Sequence, residues 1–343
     1  MKLNPIKYEN GVLIVLDQTK LPHTTSFNAY RDYESIAQAI EKMEVRGAPL
    51  IGITAAYGVL IGAIYFDGSK DQFKPYMLKV IKRLENTRPT AVNLHWALQR
   101  MKVRISSDPV STVLRLEEEA ENIYQEDCAI NKAIGNHLLP LIQPNGAYLT
   151  HCNPGALATS EYGTATAPFY LAHEQGIPFK VYSDETRPRL QGALTAYELS
   201  KAGIDVTTVI DSTAATLLSQ GVIRAVFVGC DRVARNGDVV NKIGTLPLAI
   251  VANYYNVPVY VAAPTPTFDL SVRCGDEVPI ETRNKSEVTQ IQDIPIAVSE
   301  IDVFNPAFDI TPNHLIKGLA TEYGIIEANE QSITQLFKEK RLL

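Results

Sequence analysis

Polar and reactive side chains follow five short apolar runs in the second half of the chain. Thiol, carboxylate, guanidinium and hydroxyl groups hold polar ligands and transfer protons. In an open parallel sheet, ligands bind at the carboxyl ends of the strands, so these positions predict a polar ligand site at one sheet edge. The segments are His151-Cys152-Asn153-Pro154-Gly155, Asp184-Glu185-Thr186-Arg187-Pro188, Asp211-Ser212-Thr213, Cys230-Asp231-Arg232 and Pro264-Thr265-Pro266-Thr267.

Each of these polar residues taken alone also has a structural explanation. Asp and Ser that follow a strand often cap the next helix, and we expect capping by Asp211 and Ser212. For Asp184 both interpretations stay open. The concentration of polar groups at one edge favours a functional site over a set of unrelated caps.

Two further segments have residue types that suit a phosphate group. Arg46 stands beside Gly47, where backbone N–H groups can approach an anion. Asn241 and Lys242 precede a predicted helix at residues 243–255, whose dipole favours negative charge. The chain has neither a G-x-x-x-x-G-K-[ST] loop nor a G-x-G-x-x-G motif after a strand, which argues against the usual nucleotide-binding sites.

The periodicity of apolar residues predicts the strands and helices that must position these groups. The five apolar runs are predicted strands at residues 147–150, 180–183, 206–210, 225–229 and 259–263. Helical patterns separate them at residues 164–175, 190–202, 213–219 and 243–255. This alternation predicts an α/β domain with a Rossmann-like, doubly wound parallel sheet and right-handed crossovers.

The first part of the chain has a different rhythm. Apolar spacing is mostly helical from residue 32 to residue 139, and Asn10-Gly11 predicts a short β-hairpin before it. We therefore predict two domains: a smaller, mainly helical one at residues 1–145 that carries the hairpin, and a Rossmann-like catalytic one at residues 146–343.

Composition limits the classes of partner. The 343 residues include 32 Lys+Arg and 38 Asp+Glu, a formal charge of −6, with ordinary apolar and charged fractions. These values exclude a disordered or collagen-like chain and argue against a nucleic-acid partner, which needs a basic face. They leave room for a small anionic substrate in a locally positive pocket.

Cysteine and histidine usage indicates a reducing compartment and no metal. The four cysteines form no C-x-x-C pair, and the six histidines show no zinc-ligand spacing. The N-terminal sequence lacks the apolar run of a signal peptide, and the longest apolar stretch, residues 58–66, falls short of the ~20 residues that span a bilayer. We expect a cytoplasmic protein without a membrane contact, with buried, unpaired thiols.

Several long sequence blocks resemble the methylthioribose-1-phosphate isomerase family, over nearly the whole chain. The wider superfamily adds ribose-1,5-bisphosphate isomerases and the non-catalytic regulatory subunits of the translation initiation guanine-nucleotide exchange factor. The blocks are RGAPLIGITAAYG (46–58), RPTAVNLHWAL (88–98), HCNPGALAT (151–159), DETRPRLQGALTAYEL (184–199), GCDRVARNGDVVNKIGT (229–245), AAPTPTFD (262–269) and VFNPAFDITP (303–312).

The resemblance implies an aldose–ketose isomerase for a sugar 1-phosphate that needs no cofactor. It implies that Cys152 and Asp231 are the active-site residues, with Asp231 as proton donor, and that the protein is a homodimer. The positions that match the family's substrate- and phosphate-binding residues are Arg46, Gly47, Ala48, Arg88, Gln191, Asn241 and Lys242.

The implied chemistry suits these residue types. A sugar 1-phosphate is locked as a ring, so the ring oxygen must be protonated as the ring opens. A carboxyl group donates that proton near neutral pH if an apolar setting raises its pKa, and residues 226–228 before Asp231 are apolar. Hydrogen then moves from C2 to C1 by proton abstraction or by hydride shift. Cys152 could act as base or stabilise the transition state, and the sequence leaves both routes open.

Other interpretations of single residues remain. Asp231 could cap a helix or pair with Arg232 or Arg235, while His95, His151 and Trp96 could line the pocket or belong to the core. We expect the remaining cysteines to be small buried hydrophobic residues. They are Cys128, Cys230 and Cys274.

One departure from the family pattern concerns substrate preference. The segment LQGALTAYEL, residues 190–199, lacks an Arg that methylthioribose-1-phosphate enzymes usually have before the second Leu. The substituent at C5 therefore stays open between 5-methylthio and 5-deoxy. Two alternatives are a ribose-1,5-bisphosphate isomerase and a non-catalytic subunit that binds sugar phosphates or nucleotides.

Overall fold

The computed structural model describes residues 4–89, 91–291, 294–298 and 300–342. Met1, Lys2 and Leu3, which belong to the N-terminal sequence discussed above, lie outside the described residues. The helices are α1 Tyr33–Glu41, α2 Ala48–Ile64, α3 Lys70–Glu85, α4 Val92–Val103, α5 Pro109–Leu138, α6 Ala167–Glu174, α7 Gln191–Lys201, α8 Thr213–Ser219, α9 Thr245–Tyr254, α10 Ser286–Thr289 and α11 Glu330–Glu339.

The strands form four sheets in the described part of the chain. They are β1 Ile6–Glu9, β2 Val12–Leu16, β3 Phe27–Tyr30, β4 Gly146–Thr150, β5 Phe179–Asp184, β6 Val206–Val209, β7 Ile223–Val228, β8 Arg232–Ala234, β9 Val239–Lys242, β10 Val259–Ala262, β11 Phe268–Asp269, β12 Gln290–Ile291, β13 Ile294–Pro295, β14 Phe308–Thr311, β15 Gly318–Thr321 and β16 Gly324–Ile326.

The chain folds into two compact units. The first comprises Met1–Lys132 and Gly155–Gly163, and the second comprises Ala133–Pro154 and Thr164–Leu343. The division falls within α5, and a short segment after β4 belongs to the first unit. The functional domain boundary at residues 145 and 146 stays a prediction.

The first unit begins with the hairpin that Asn10-Gly11 predicts. Asn10 and Gly11 have φ of 49° and 78°, and Glu9 pairs with Val12 across the two-residue turn. Positive φ at both central residues gives the turn whose twist matches that of the flanking strands. A third strand, β3, pairs with β2 and was not predicted, because its sequence FNAY lacks β-branched residues and is partly exposed.

The longest apolar stretch of the sequence, residues 58–66, lies in α2 as far as Ile64, and α2 is buried from Leu50 to Ala63. A helix that is apolar on all sides must be surrounded by protein. Glycines allow the close approach: a Cβ at Gly52 would lie 2.8 Å from the carbonyl oxygen of Asn93 on α4. Among the described residues, no helix is both long and apolar enough to cross a membrane.

The second unit is built on a seven-stranded sheet of order β16-β15-β10-β7-β4-β5-β6. Every neighbouring pair is parallel except β15 with β16. The five predicted strands are β4, β5, β6, β7 and β10, and the four predicted helices are α6 to α9, with ends within three residues of the predicted ones. The α/β class predicted from the sequence is confirmed.

Strand order in this sheet reverses between β4 and β7. From β4 the chain adds β5 and β6 toward one edge, and then adds β7, β10 and β15 toward the other. Such a reversal opens a crevice outside the carboxyl ends of the two central strands, where ligands bind in sheets of this kind. Thr150 ends β4 and Val228 ends β7, so the residues that follow them face this crevice region.

A second sheet of order β11-β8-β9-β14 follows β7 and was not predicted. Its strands are short, and β14 comes from a distant part of the chain to pair antiparallel with β9. The sheet matters for the site because β9 ends at Lys242.

Candidate active site

Cys152 and Asp231 follow the two strands that flank the strand-order reversal. Cys152 lies two residues after β4, and Asp231 lies three residues after β7, whose backbone pairs with β4. Both residues are half-buried, so they are screened from bulk water without being sealed from a ligand. The fold thus places the predicted thiol and carboxylate after adjacent strands at the same sheet edge.

Cys152 has a left-handed backbone with φ of 65°. This conformation costs a non-glycine residue roughly 1–2 kcal/mol. Two hydrogen bonds hold it: the Cys152 N–H donates to Thr186 Oγ1 at 2.8 Å, and Thr195 Oγ1 donates to the Cys152 carbonyl at 2.8 Å. Each contributes about 1 kcal/mol, so together they offset the strain. Strained residues of this kind concentrate at functional sites.

The loop after β5 is strained as well, and Asp211 stabilises it. Thr186 and Leu190 also have positive φ, of 62° and 59°. The Asp211 carboxylate accepts the N–H of Thr186 at 2.7 Å and that of Arg187 at 2.8 Å. Asp211 is therefore committed to this loop, and the predicted capping role is wrong for it.

Ser212 does not cap α8 with its side chain either. It occupies the N-cap position but makes no side-chain capping hydrogen bond within the described residues. The capping prediction failed because a strand-end carboxylate can bind backbone amides of a neighbouring loop that is remote in sequence.

His151, the residue before Cys152, forms a buried pair with Asp184. His151 Nδ1 lies 3.1 Å from Asp184 Oδ2, and Nε2 lies 2.9 Å from the carbonyl oxygen of Ile243. A carbonyl only accepts, so Nε2 carries a hydrogen, and a second proton must lie between Nδ1 and Oδ2. His151 is thus a core residue that links β4, β5 and the turn after β9, and Asp184 pairs with it rather than capping a helix.

This pair holds its proton tightly. Burial by itself lowers the pKa of His151, but the hydrogen bond and charge of Asp184 outweigh it, so the pKa of His151 is raised. Burial raises the pKa of Asp184, and the charges of Asp211 and Glu185 add to that effect. Both directions describe the same event, the retention of one shared proton to higher pH than either group would retain it alone.

His151, Asp184 and Asp211 place potential metal-ligand atoms within 4.8 Å of one another. Both ring nitrogens of His151 are already hydrogen-bonded, and both Asp211 oxygens accept backbone amides. Hydrogen bonds within the protein therefore occupy the candidate ligand atoms of these three residues except Asp184 Oδ1, which has no hydrogen-bond partner among the described residues.

Lys242 extends the site from the end of β9. Its side chain is buried, Nζ donates to the carbonyl of Ala307 at 2.9 Å, and Nζ lies 4.2 Å from the ring centroid of Phe308. Burial lowers the pKa of Lys242, and the charge of Arg283 lowers it further, whereas Cys152 and Asp231 act in the opposite direction. These couplings bring Lys242 into the same electrostatic environment as Cys152 and Asp231.

Arg283 is a charged neighbour of the site that the sequence reasoning missed. Its guanidinium lies 5.8 Å from the Phe308 centroid and pairs with Glu281 at 3.1 Å. The segment 281–285 follows none of the predicted strands, so no local signal pointed to it.

The start of α9 differs from the expectation. The N–H groups of Gly244 and Leu246 donate to the Asp309 carboxylate at 2.7 and 3.1 Å. The prediction that this helix terminus attracts a substrate anion is wrong for these two amides, because a carboxylate from β14 already binds them. Asn241 Nδ2 donates to Thr245 Oγ1 at 3.0 Å, which fixes the same turn.

Gln191 provides an acceptor at the start of α7. Its side chain is buried, and Oε1 has no hydrogen-bond partner among the described residues. An unpaired buried acceptor is costly unless a ligand or water pairs with it. Gly192, the next residue, permits close packing here, since a Cβ would lie 1.5 Å from the Asp184 carbonyl oxygen.

Asp231 precedes a strand and not a helix, so the helix-cap alternative is wrong. Its N–H donates to the Val240 carbonyl at 3.0 Å, which ties it to β9 two residues before Lys242. Arg232 pairs with Asp269 at 3.0 Å and Arg235 with Glu330 at 3.3 Å.

The other cysteines are half-buried rather than buried, and none of the four is in a disulfide in the described structure. Burial raises the pKa of Cys230 to about 12, and its sulfur lies 3.3 Å from Thr267 Oγ1. Burial also raises the pKa of Cys128. Raised pKa values make these two thiols poor nucleophiles.

The remaining predicted residues lie in the first unit. Arg46 and Ala48 flank Gly47 at the start of α2, and Arg88 lies between α3 and α4. Gly47 has φ of 95°, and a Cβ there would lie 2.4 Å from the Cα and carbonyl oxygen of Ala158.

His95 and Trp96, which remained as pocket or core candidates, both have contacts within the first unit. His95 bonds the Pro89 carbonyl at 3.0 Å and lies 3.2 Å from Glu85. Trp96 packs against the core of the unit, with the Arg100 guanidinium 4.7 Å from its ring centroid.

Comparison with known proteins supports a common origin over almost the whole chain. The model of the Initiation factor 2 subunit family matches residues 44–328. A 5-deoxyribose 1-phosphate isomerase from Bacillus cereus is 50% identical over 345 aligned residues, which cover 98% of this chain and 99% of that protein.

Solved structures agree with the sequence comparison. The 5-methylthioribose 1-phosphate isomerase of Pyrococcus horikoshii OT3 superimposes with a TM-score of 0.92 at 36% identity, covering 98% of this chain and 96% of that one. The delta subunit of translation initiation factor eIF-2B from A. fulgidus gives 0.89 at 38% identity, covering 98% and 99%. The resemblance predicted from the sequence blocks is confirmed, and the chain belongs to the initiation factor 2 subunit family, within its sugar-phosphate isomerase relatives.

Proposed function

We propose that this protein is an aldose–ketose isomerase that converts 5-deoxyribose 1-phosphate, and with overlapping activity 5-methylthioribose 1-phosphate, to the corresponding ribulose 1-phosphate. Relatives that are 50% identical over nearly their full length have the first activity in their names, and a close structural neighbour has the second. One observation in the structure carries the proposal: Cys152 and Asp231 follow the two strands at the reversal point, and both are coupled to the buried Lys242.

The reaction begins with ring opening. The Asp231 carboxyl gives its proton to the ring oxygen while the bond between C1 and that oxygen breaks, which leaves an open chain with the positive charge at C1 shared by the phosphate ester oxygen. A general acid in this role accelerates a reaction by about 10²–10⁴-fold.

Hydrogen then moves from C2 to C1 inside the substrate. In one route Cys152, as thiolate, takes the C2 proton to give an enol phosphate, and the thiol returns that proton to C1 while the C2 hydroxyl gives its proton to the Asp231 carboxylate, which leaves the ketone. In the other, hydride passes directly from C2 to C1, and the C2 hydroxyl gives its proton to the Asp231 carboxylate to form the ketone. Both routes balance without an external oxidant or reductant, since the substrate is oxidised at C2 and reduced at C1.

Three cations are proposed to hold the phosphate: Arg46, Arg88 and Lys242. Arginine binds phosphate oxygens in a bidentate way, and an ammonium acts as a point charge. The unpaired acceptor Gln191 Oε1 suits a sugar hydroxyl. Gly47, Ala48 and Asn241 complete the proposed set of substrate-binding residues.

The two alternative functions place different demands on the site. A regulatory subunit without catalysis does not need a strained thiol and a carboxylate after adjacent strands, and this chain has both. A ribose-1,5-bisphosphate isomerase needs a second phosphate site for C5.

We further propose a homodimeric, cytoplasmic enzyme in which residues 146–343 form the Rossmann-like catalytic domain and residues 1–145 the smaller domain. Light scattering that gives about the 37.8 kDa mass of one chain instead of twice that value would overturn the dimer.

The test compares kcat/KM for the 5-deoxy, 5-methylthio and 5-phospho substrates on one preparation. A thiomethyl group changes apolar contacts worth about 1–3 kcal/mol, so we expect the first two values to lie within roughly 10–200-fold of each other. The 5-phospho compound should be the poorest substrate. Binding of all three without turnover would instead support a regulatory subunit.

A further inference from the structure

We propose that Thr186 and Thr195 are positioning residues that clamp the Cys152 peptide and thereby aim its thiol. The inference rests on the proposed role of Cys152 in isomerisation. Thr186 lies in the loop after β5, and Thr195 lies on α7, so the two hydroxyls reach Cys152 from different elements.

The direction of every hydrogen bond in the clamp follows from the partners. The Cys152 N–H can only donate, so Thr186 Oγ1 accepts it at 2.8 Å and gives its own hydrogen to the Asp184 carbonyl at 3.1 Å. The Cys152 carbonyl can only accept, so Thr195 Oγ1 donates to it at 2.8 Å. Thr195 in turn accepts from Asn153 Nδ2 at 2.9 Å.

Each hydroxyl therefore has its single donor committed to a backbone carbonyl. Both threonines are 0% exposed, so solvent cannot replace the bonds. With its proton already used, neither hydroxyl has one to give to a substrate. We therefore infer that the two threonines act by holding Cys152 and not by contacting the substrate.

The clamp acts on a conformation that the chain would not hold by itself. Cys152 has φ of 65°, a region that side chains other than glycine and asparagine rarely adopt. The direction of the Cα–Cβ bond depends on φ, so relaxation of the peptide to an ordinary region would turn the thiol away from its present direction. Holding φ fixed therefore holds the sulfur in place.

Both clamp residues are themselves anchored. Thr186 has φ of 62°, and Asp211 binds its N–H at 2.7 Å. Asn153, which donates to Thr195, also donates to the buried Glu198 carboxylate at 3.0 Å. Two carboxylates, the half-buried Asp211 and the buried Glu198, thus anchor the groups that hold the Cys152 peptide.

The test replaces each hydroxyl by a methyl group, in Thr186→Val and Thr195→Val. Thr321→Val is the matched control, because the Thr321 hydroxyl also accepts a backbone N–H, from Tyr323, and donates to a backbone carbonyl, of Gly324, at a buried position of β15. A reacting group misplaced by about 1 Å can cost about 100-fold in rate. We expect kcat to fall by about 10–100-fold in each clamp variant, with KM unchanged within about twofold.

Thr186→Ser and Thr195→Ser keep the hydroxyl and should restore kcat to within about threefold of the wild type, by the same reasoning. The Thr321→Val variant should lower thermal stability by a similar amount and leave kcat unchanged. If Thr186→Val is recovered unfolded, Thr195→Val tests the clamp by itself.

Cys152→Ala separates this inference from the proposed function. If Cys152→Ala abolishes turnover while the valine variants keep the kcat of Thr321→Val, the clamp is overturned and the isomerase mechanism stands. If Cys152→Ala turns over normally, there is no catalytic thiol to position, so the clamp and the proposed role of Cys152 both fail while the isomerase activity stands. Loss of kcat in both valine variants, with rescue by serine, supports the clamp.

Discussion

At the residue scale, the site combines a strained thiol with a buried pair that stores a proton. Cys152 has a left-handed backbone, and the residue before it, His151, has both ring nitrogens bound to oxygen acceptors. Two protons are required among His151 Nε2, His151 Nδ1 and Asp184 Oδ2, because Nε2 donates to a carbonyl and one more proton must join the other two atoms. This requirement makes the stability of the fold sensitive to pH in a predictable direction.

Asp184→Asn tests this pair. The folded state keeps the shared proton above the ordinary His pKa of about 6.5, whereas the unfolded chain loses it there, so stability falls as pH rises from about 6.5 through the raised pKa. The slope for one proton is at most about 1.4 kcal/mol per pH unit. An asparagine amide donates to neutral Nδ1, so we expect a flatter profile in the variant, measured by chemical denaturation between pH 6 and pH 9.

The other charged groups that act on the pair are Asp211, Glu185 and Asp309. Asp205→Asn, at an exposed carboxylate paired with Lys180, is the control and should keep the wild-type slope. An unchanged slope in Asp184→Asn would show that the pair does not bind the shared proton.

Lys242→Met tests the proposed phosphate contact. A charge-assisted hydrogen bond contributes about 1.5–3 kcal/mol, so its loss should raise KM by roughly 10–150-fold. Burial lowers the pKa of Lys242, so this side chain should lose its positive charge at a lower pH than an exposed lysine. The KM of the wild-type enzyme should rise as that charge is lost. Steady-state kinetics from pH 7 to pH 10 measures both effects. A KM that is equal in variant and wild type would remove Lys242 from the phosphate site.

At the element scale, the start of α2 depends on a glycine. Gly47→Ala would place a Cβ 2.4 Å from the Ala158 backbone at φ of 95°, so it adds overlap to conformational strain. Gly176→Ala is the matched control, because φ there is 70° but nothing lies within 4 Å of the added Cβ. Strain alone costs roughly 1–2 kcal/mol.

We expect thermal denaturation to show a much larger loss in Gly47→Ala than in Gly176→Ala. Equal losses would mean that the Ala158 segment shifts away without cost.

The elements that could be predicted were those whose signal is local. The strands β4 to β7 and β10 are apolar runs bounded by polar strand ends, and Asn10-Gly11 fixes its own turn. The four-stranded sheet could not be predicted, because β14 pairs with β9 across more than 60 residues and neither strand is a clear apolar run.

The residues of the candidate site divide in the same way, into those with a local sequence signal and those placed by distant contacts. Cys152, Asp231 and Lys242 were identified by motif, whereas Thr186, Thr195 and Arg283 act through contacts with distant segments. The start of α9 was predicted to bind a substrate anion. Two of its N–H groups instead bind the carboxylate of Asp309, which lies on β14 and is distant in the sequence.

At the scale of the whole molecule, strand order brings the residues of the candidate site together. The net charge of −6 conceals a site with Lys242 and Arg283 against one aromatic ring. The reversal between β4 and β7 places a thiol and a carboxylate, 79 residues apart in the sequence (231 − 152), at the ends of adjacent strands. Residues 44–328, which include both strands and both of these residues, match one family model.

The most direct measurement is turnover of 5-deoxyribose 1-phosphate by Cys152→Ser and Asp231→Asn, followed by phosphorus NMR of the 1-phosphate product. Loss of the general acid or of the thiol should lower kcat by at least about 100-fold in each variant. Cys230→Ser, at the neighbouring thiol whose pKa is raised to about 12, is the control and should retain most activity. If either Cys152→Ser or Asp231→Asn turns over at nearly the wild-type rate, the proposed mechanism is wrong.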